Sequence, residues 1–200
     1  MTSTDEHKAA MLALQQEQKA KVAAAEHIDR GLVLVHTGNG KGKSSSAFGV
    51  IARALGWGQK VAVVQFIKGN WKTGEREFFK RFPDELHWHT MGDGFTWNTQ
   101  DKEQDTKAAV AGFAKATELM VSGAYDLVVL DELNIALRYE YLGIDVVIDT
   151  IAGRSQRTSV IATGRDAHPK LIELADLVSE MQEIKHPFKA GIKAKQGIDY

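Results

Sequence analysis

An α/β fold on a mostly parallel β-sheet, with helices on both faces, is predicted by three features of this 200-residue sequence. Short apolar runs recur along the chain, the segments between them carry apolar residues at helical spacing, and the first run leads straight into a glycine-rich loop. Strands covered on both faces read as continuous apolar runs rather than as alternations, which is the signature of a parallel sheet.

Residues Asp5 to Glu26 combine Ala, Gln, Lys and Glu with few large apolar groups, strong helix formers without a broad hydrophobic face. Residues 1–28 are therefore set apart as a helical extension, and 29–200 as one domain. The extension fits both a lid over bound substrate and a solvated appendage. Gly31-Leu32-Val33-Leu34-Val35-His36 is the first predicted strand, followed by the loop Thr37 to Ser45 and by Phe48, Ile51, Ala52 and Leu55 at helical spacing. Lys60 to Ile67, rich in β-formers, is the second strand, between Gly58 and Lys68-Gly69.

Asn70 to Gln100 reads as irregular and holds Trp71, Trp88 and Trp97, three of the four tryptophans; a loop this long in a compact domain usually belongs to a site. A helix is predicted from Gln100 to Ser122, stopped by Gly123. Tyr125 to Glu132 is an apolar strand ending in two carboxylates. Ile144 to Ile151 reads as a helix, Ser159 to Ala162 as a strand, Leu171 to Ala175 as a helix and Leu177 to Met181 as a last strand, before a polar, lysine-rich tail from Lys185 to Tyr200.

Composition bounds the function. With 25 Lys+Arg against 26 Asp+Glu, nothing in the overall charge favours nucleic acid or anionic lipid. No cysteine is present, so disulfides, thiolate-bound metals and a thiol nucleophile are excluded, in keeping with a reducing compartment. The apolar runs are too short for a membrane helix and the N-terminus too charged for a signal peptide, so a cytoplasmic location is expected. His87 and His89 flank Trp88 without acidic or Cys partners at ligand spacing and read as structural.

The loop Thr37-Gly38-Asn39-Gly40-Lys41-Gly42-Lys43-Ser44-Ser45 has the parts of a phosphate cradle: glycines that turn backbone N–H groups inward, lysines for phosphate oxygens, and a hydroxyl for a metal ion at the start of a helix. The usual G-x-x-x-x-G-K-[ST] pattern places a glycine at Thr37, and here it stands one residue later, at Gly38. Two lysines this close repel each other unless an anion lies between them. A P-loop NTPase-like, RecA-like domain follows, and Asp131-Glu132 sits where such a fold carries its metal-binding acid, at the carboxyl end of a buried strand. Spacing does not separate Asp131 from Glu132 as ligand, and capping of the next helix is the plainer role open to one of them.

Phosphate binding leaves ATPase, kinase and nucleotide-dependent binding module open. Beyond the loop, Val64-Gln65-Phe66-Ile67-Lys68-Gly69, Gly74-Glu75-Arg76, Gly94-Phe95-Thr96-Trp97, Val129-Leu130-Asp131-Glu132-Leu133, Thr163-Gly164-Arg165, Lys185-His186 and Gly197-Ile198-Asp199-Tyr200 fall in order over nearly the whole chain from residue 31. Together they resemble the BtuR/CobO/CobP family of corrinoid adenosyltransferases. The resemblance implies that cobalt(I) of a reduced corrinoid attacks the 5′ carbon of ATP and triphosphate leaves. It implies an ATP lying along the loop in the sense opposite to ordinary P-loop enzymes, with Lys41 and Lys43 on the triphosphate and Mg²⁺ (or Mn²⁺) on Ser44 and Asp131 or Glu132. It further implies Phe95 and Trp97 beside the corrinoid, displacing its lower axial ligand, with contacts to ATP from Asn39 and Arg53. A flavoprotein electron donor and a homodimer come with the resemblance. Arg165 is a candidate for phosphate contact or for pairing with Glu180. The sequence offers no covalent nucleophile pattern, which suits a reaction whose nucleophile is the substrate's metal.

Overall fold

The computed structural model describes residues 4–67, 72–91 and 102–199. Phe95, Trp97, Lys68-Gly69 and Tyr200 lie outside the described residues. In chain order the elements are α1 (Thr4–Ala24), β1 (Val33–Thr37), α2 (Lys43–Gly56), β2 (Val61–Gln65), α3 (Gly74–Phe79), β3 (Leu86–Thr90), α4 (Lys102–Val121) and β4 (Leu127–Asp131). They continue with α5 (Leu133–Arg138), α6 (Ile144–Ala152), β5 (Ser159–Thr163), α7 (Pro169–Leu174), β6 (Leu177–Glu180) and a 3₁₀ turn (Pro187–Ala190).

The six strands form one sheet in the order β3-β2-β4-β5-β1-β6, and every ladder is parallel. The expected P-loop NTPase-like α/β fold is thus present. β5 stands between the strand that feeds the glycine loop and the strand that ends in Asp131.

Because strand side chains alternate between faces, the core divides in two. Val33, Val35, Val64, Val128, Leu130 and Val160 face Phe113, Leu119 and Met120 of α4, together with Leu133, Val147, Ile151 and Leu171 from α5, α6 and α7. Val61, Val63, Val129 and Ile161 face Ala47, Phe48 and Ile51 of α2 and Phe79 of α3. α1 buries none of its residues, as expected from its lack of an apolar face.

Two departures from the sequence reading matter for the site. The stretch read as irregular contains α3 and β3, and Trp88 of β3 packs with ring centroids 5.3 Å from Phe48 and 6.2 Å from Phe79. Elements of five or six residues are too short to show a period, and the His-Trp-His order hides an inward-facing aromatic. α5 also went unpredicted. It starts immediately after Glu132 without a turn residue, because Glu132 itself adopts φ 62° and redirects the chain.

The start of β1 is tied to the turn before β6 by Asp176, which accepts from the Arg30 guanidinium and, at 2.8 Å, from Val33 N–H. These donors, the Arg30 guanidinium first, hold its carboxyl down at about 2. A depressed carboxyl stabilises the fold above its unfolded pKa, and the contribution is lost as pH falls through the folded value. Asp176→Asn should therefore lower stability at neutral pH by about 1 kcal/mol, after allowance for solvent screening of this exposed pair. The difference from the parent should vanish between about pH 4 and pH 2 in denaturant titrations.

Candidate active site

The glycine loop leaves β1 at the carboxyl edge of the sheet, where open α/β sheets bind ligands. Gly42 takes φ 111° and ends the loop at the N-terminus of α2, which no side chain caps, so this positive helix end is directed at the loop's concave side. Lys43 is buried and its Nζ donates to Gly40 O at 2.6 Å, folding the side chain back across the loop. Ser44 follows in the first turn of α2 and Ser45 is exposed beside it.

The displacement of the leading glycine has a packing reason. Met181 and Gln182, just beyond β6, run against the loop: Met181 N–H donates to Thr37 O at 2.8 Å and Gly40 N–H donates to Met181 O at 2.6 Å. Gly38 has φ 94°, and a Cβ there would stand 2.8 Å from Glu180 Cγ; one at Gly40 would stand 2.7 Å from Gln182 O. Thr37 needs no glycine because its hydroxyl points away, accepting from Ala167 N–H at 3.0 Å. Asn39 is the exposed tip.

The expected repulsion between Lys41 and Lys43 is relieved within the chain. Lys41 pairs with Asp199, whose other oxygen accepts from Lys195 N–H at 2.8 Å, and the Lys41 ammonium holds the Asp199 carboxyl below its ordinary value. The C-terminal tail thus supplies a counter-charge for Lys41, while Lys43 Nζ is held by the Gly40 carbonyl. His36, next to the loop and buried, is a neighbour that sequence reasoning passed over; its Nδ1 lies 3.4 Å from Lys43 O, and burial lowers its pKa.

Across the sheet edge, Asp131 is fully buried at the end of β4, where Gln65 Nε2 donates to Oδ2 and Thr163 Oγ1 donates to Oδ1, each at 2.8 Å. Glu132 is half-buried, and its N–H donates to Thr163 Oγ1 at 2.9 Å. Gly164, at φ 127°, comes so close that a Cβ would meet Glu132 Oε2 at 3.2 Å and Asn134 Cβ at 2.9 Å. Asn134 Nδ2 fastens this turn by donating to Gly164 O at 2.9 Å. One hydroxyl and two carboxylates therefore lie at the ends of neighbouring elements. No group of three or more His, Cys, Asp or Glu placed to hold a metal occurs among the described residues. A hard cation sharing oxygen ligands with phosphate suits such a sparse set.

Beside Ser45 a cleft of about 390 Å³ opens between α2 and α3, lined by Phe48, Gly49, Phe78 and Phe79, with Gly74 and Glu75 at its side. This brings the Gly74-Glu75 motif next to the loop.

A family model described as ATP:corrinoid adenosyltransferase BtuR/CobO/CobP matches residues 29–200. The chain belongs to that family. A corrinoid adenosyltransferase of Pseudomonas aeruginosa is 55% identical over 180 residues, covering 90% of this chain and 88% of the relative. One from Sinorhizobium sp is 45% identical over 198 residues, 98% of this chain and 92% of the relative. Corrinoid adenosyltransferase CobA of Salmonella typhimurium is 46% identical over 181 residues, 90% of this chain and 91% of the relative.

Against the family expectation, the structure gathers Thr37 to Ser45, Asp131 and Glu132 at one edge. Arg53, expected at the nucleoside part of ATP, is exposed in the last turn of α2, roughly 15 Å along the axis from Lys43. Arg165 is exposed after β5, and its charge is one of those that help to lower the Glu183 carboxyl, behind Lys189. No helix among the described residues is long and apolar enough to cross a membrane.

Proposed function

We propose that this chain transfers the 5′-deoxyadenosyl group of ATP to cobalt(I) of a corrinoid and releases triphosphate. The observation that carries the reading is a glycine loop with a buried Lys43 at an uncapped helix N-terminus, in a chain that matches the adenosyltransferase family from residue 29 to 200. In the reaction the cobalt(I) electron pair forms the Co–C5′ bond, the C5′–O bond breaks, and its electrons leave on the triphosphate.

The chain's own groups serve the leaving side. Lys43 and the start of α2 hold the polyphosphate, and Lys41 joins them once it exchanges Asp199 for a phosphate oxygen. Mg²⁺ (or Mn²⁺) held by Ser44 and by Asp131 or Glu132 would neutralise developing phosphate charge. Arg53 and Arg165, far from the loop and exposed respectively, keep roles in nucleotide contact only by family likeness. Phe95 and Trp97 are read as the corrinoid-facing pair.

Residues 1–28 are read as a helical extension of a single domain over 29–200, a division in keeping with the unburied α1 and the start of the family match. A homodimer, a flavoprotein electron donor and a cytoplasmic setting complete the reading on family likeness. The exposed Ile184, Phe188 and Ile198 of the tail are surfaces available to a second copy.

An anaerobic assay with ATP, Mg²⁺ and chemically reduced cobalamin tests the function. Light-sensitive adenosylcobalamin and triphosphate in equal amounts are expected; corrinoid-independent ADP would mean phosphoryl chemistry instead. Trp97→Ala should reduce turnover at least about tenfold when cobalt(II) corrinoid and an enzymatic reductant are supplied, and by less than about threefold with preformed cobalt(I). Equal losses in both assays would remove the axial-ligand role.

A further inference from the structure

A continuous hydrogen-bonded line crosses the carboxyl ends of β3, β2, β4 and β5. Trp88 Nε1–H donates to Gln65 Oε1 at 2.9 Å, Gln65 Nε2 donates to Asp131 Oδ2 at 2.8 Å, and Thr163 Oγ1 donates to Asp131 Oδ1 at 2.8 Å. The Thr163 hydroxyl in turn accepts from Glu132 N–H at 2.9 Å. Gln65, Asp131 and Thr163 are all buried, and the ladder places Gln65 directly beside Asp131.

The polarity of this line is set at both ends by groups that only donate. An indole nitrogen has no acceptor capacity, so the Gln65 atom facing it must be the carbonyl oxygen, and the amide NH₂ is thereby turned toward Asp131. A backbone N–H likewise only donates, so the Thr163 hydroxyl that receives it directs its own proton at Asp131. Without the indole N–H, the Gln65 amide would be free to flip and present an oxygen to a carboxylate. With it, both oxygens of Asp131 are gripped from opposite sides and its plane is fixed, immediately before Glu132 turns the chain into α5.

We propose that Trp88 and Gln65 are positioning residues that orient the Asp131 carboxylate for the cation that accompanies the ATP phosphates. The inference rests on the proposed metal role of the Asp131-Glu132 pair and assigns the residues that prepare it. It also makes β3, the strand leading toward Phe95 and Trp97, part of the same hydrogen-bonded unit as the phosphate side.

Trp88→Phe keeps a ring against Phe48 and Phe79 and removes the donor; Gln65→Leu removes the link; Gln65→Glu keeps its size but turns an acceptor toward Asp131. The full chain without corrinoid is titrated with Mg²⁺ at fixed ATP by calorimetry, and with ATP alone in EDTA. In all three variants the Mg²⁺ concentration for half-maximal ATP binding should rise about tenfold, the effect of about one well-placed hydrogen bond. ATP binding in EDTA should change by less than about twofold. In the metal-free parent the Trp88 indole proton should exchange slowly with solvent, and Gln65→Leu should abolish that protection.

An unchanged Mg²⁺ requirement in the variants, with the parent still Mg²⁺-dependent, overturns the positioning role and leaves the metal reading standing. A parent whose ATP binding ignores Mg²⁺ overturns the metal reading and this inference with it. Should Trp88→Phe fail to fold, Gln65→Leu decides, because a role limited to filling space predicts little effect from an uncharged side chain of similar size.

Discussion

Lys43→Ala should lower kcat/KM for ATP by about a thousandfold or more while leaving the fold intact. The side chain is buried at the loop rather than in the sheet's hydrophobic clusters, and its Nζ is bonded to the loop's own Gly40 carbonyl. That carbonyl can be hydrated once the ammonium is gone, so the expected stability change is about 1 kcal/mol or less. The reaction loses far more, because a cation already held inside the cradle meets the departing triphosphate without reorganisation. The loss of cobalt(I) absorbance under anaerobic conditions measures the rate, and circular dichroism shows that the variant is folded. Retention of more than a tenth of parental activity would remove Lys43 from the leaving-group side.

Gly38→Ala is the second large effect, and it acts through shape. At φ 94° an alanine is strained, and its methyl would overlap the Met181 backbone and crowd Glu180 Cγ at 2.8 Å. Strain of this kind costs roughly 1–3 kcal/mol, which for a domain of this size lowers the unfolding midpoint by about 2–12 °C. ATP affinity should fall at least about tenfold, since the loop must move off Met181 to relieve the overlap. Differential scanning calorimetry and ATP titration measure the two effects separately. An undisturbed midpoint would show that the loop and the β6 segment are not in the close contact described here.

The strands other than β3 were legible in the sequence because each opens on an apolar run, and Val61-Ala62-Val63-Val64 is buried throughout. Those runs also gave the parallel sheet, since only a strand buried on both faces can dispense with polar alternation. α3, β3 and α5 were not legible, because they lack a continuous apolar run or a helical period and are determined by tertiary contacts such as Trp88 on Phe48 and Phe79. In the site, the loop and the Asp131-Glu132 pair announced themselves by local pattern. The partners that complete them did not: Asp199 is 158 residues from Lys41 and Gln65 is 66 from Asp131. No local periodicity encodes such pairings, which exist only once the sheet order β3-β2-β4-β5-β1-β6 is set.

The contact between the glycine loop and the segment after β6 ties ATP binding to completion of the sheet. The loop is synthesised well before β6, yet Thr37 and Gly40 find their backbone partners only at Met181, and Lys41 its partner only at Asp199. A nascent chain that has folded β1 through β5 still has an unfinished cradle on the ribosome. The nucleotide site therefore waits for β6, and a chain truncated before β6 would keep most of its core yet lack the surface on which the loop is shaped.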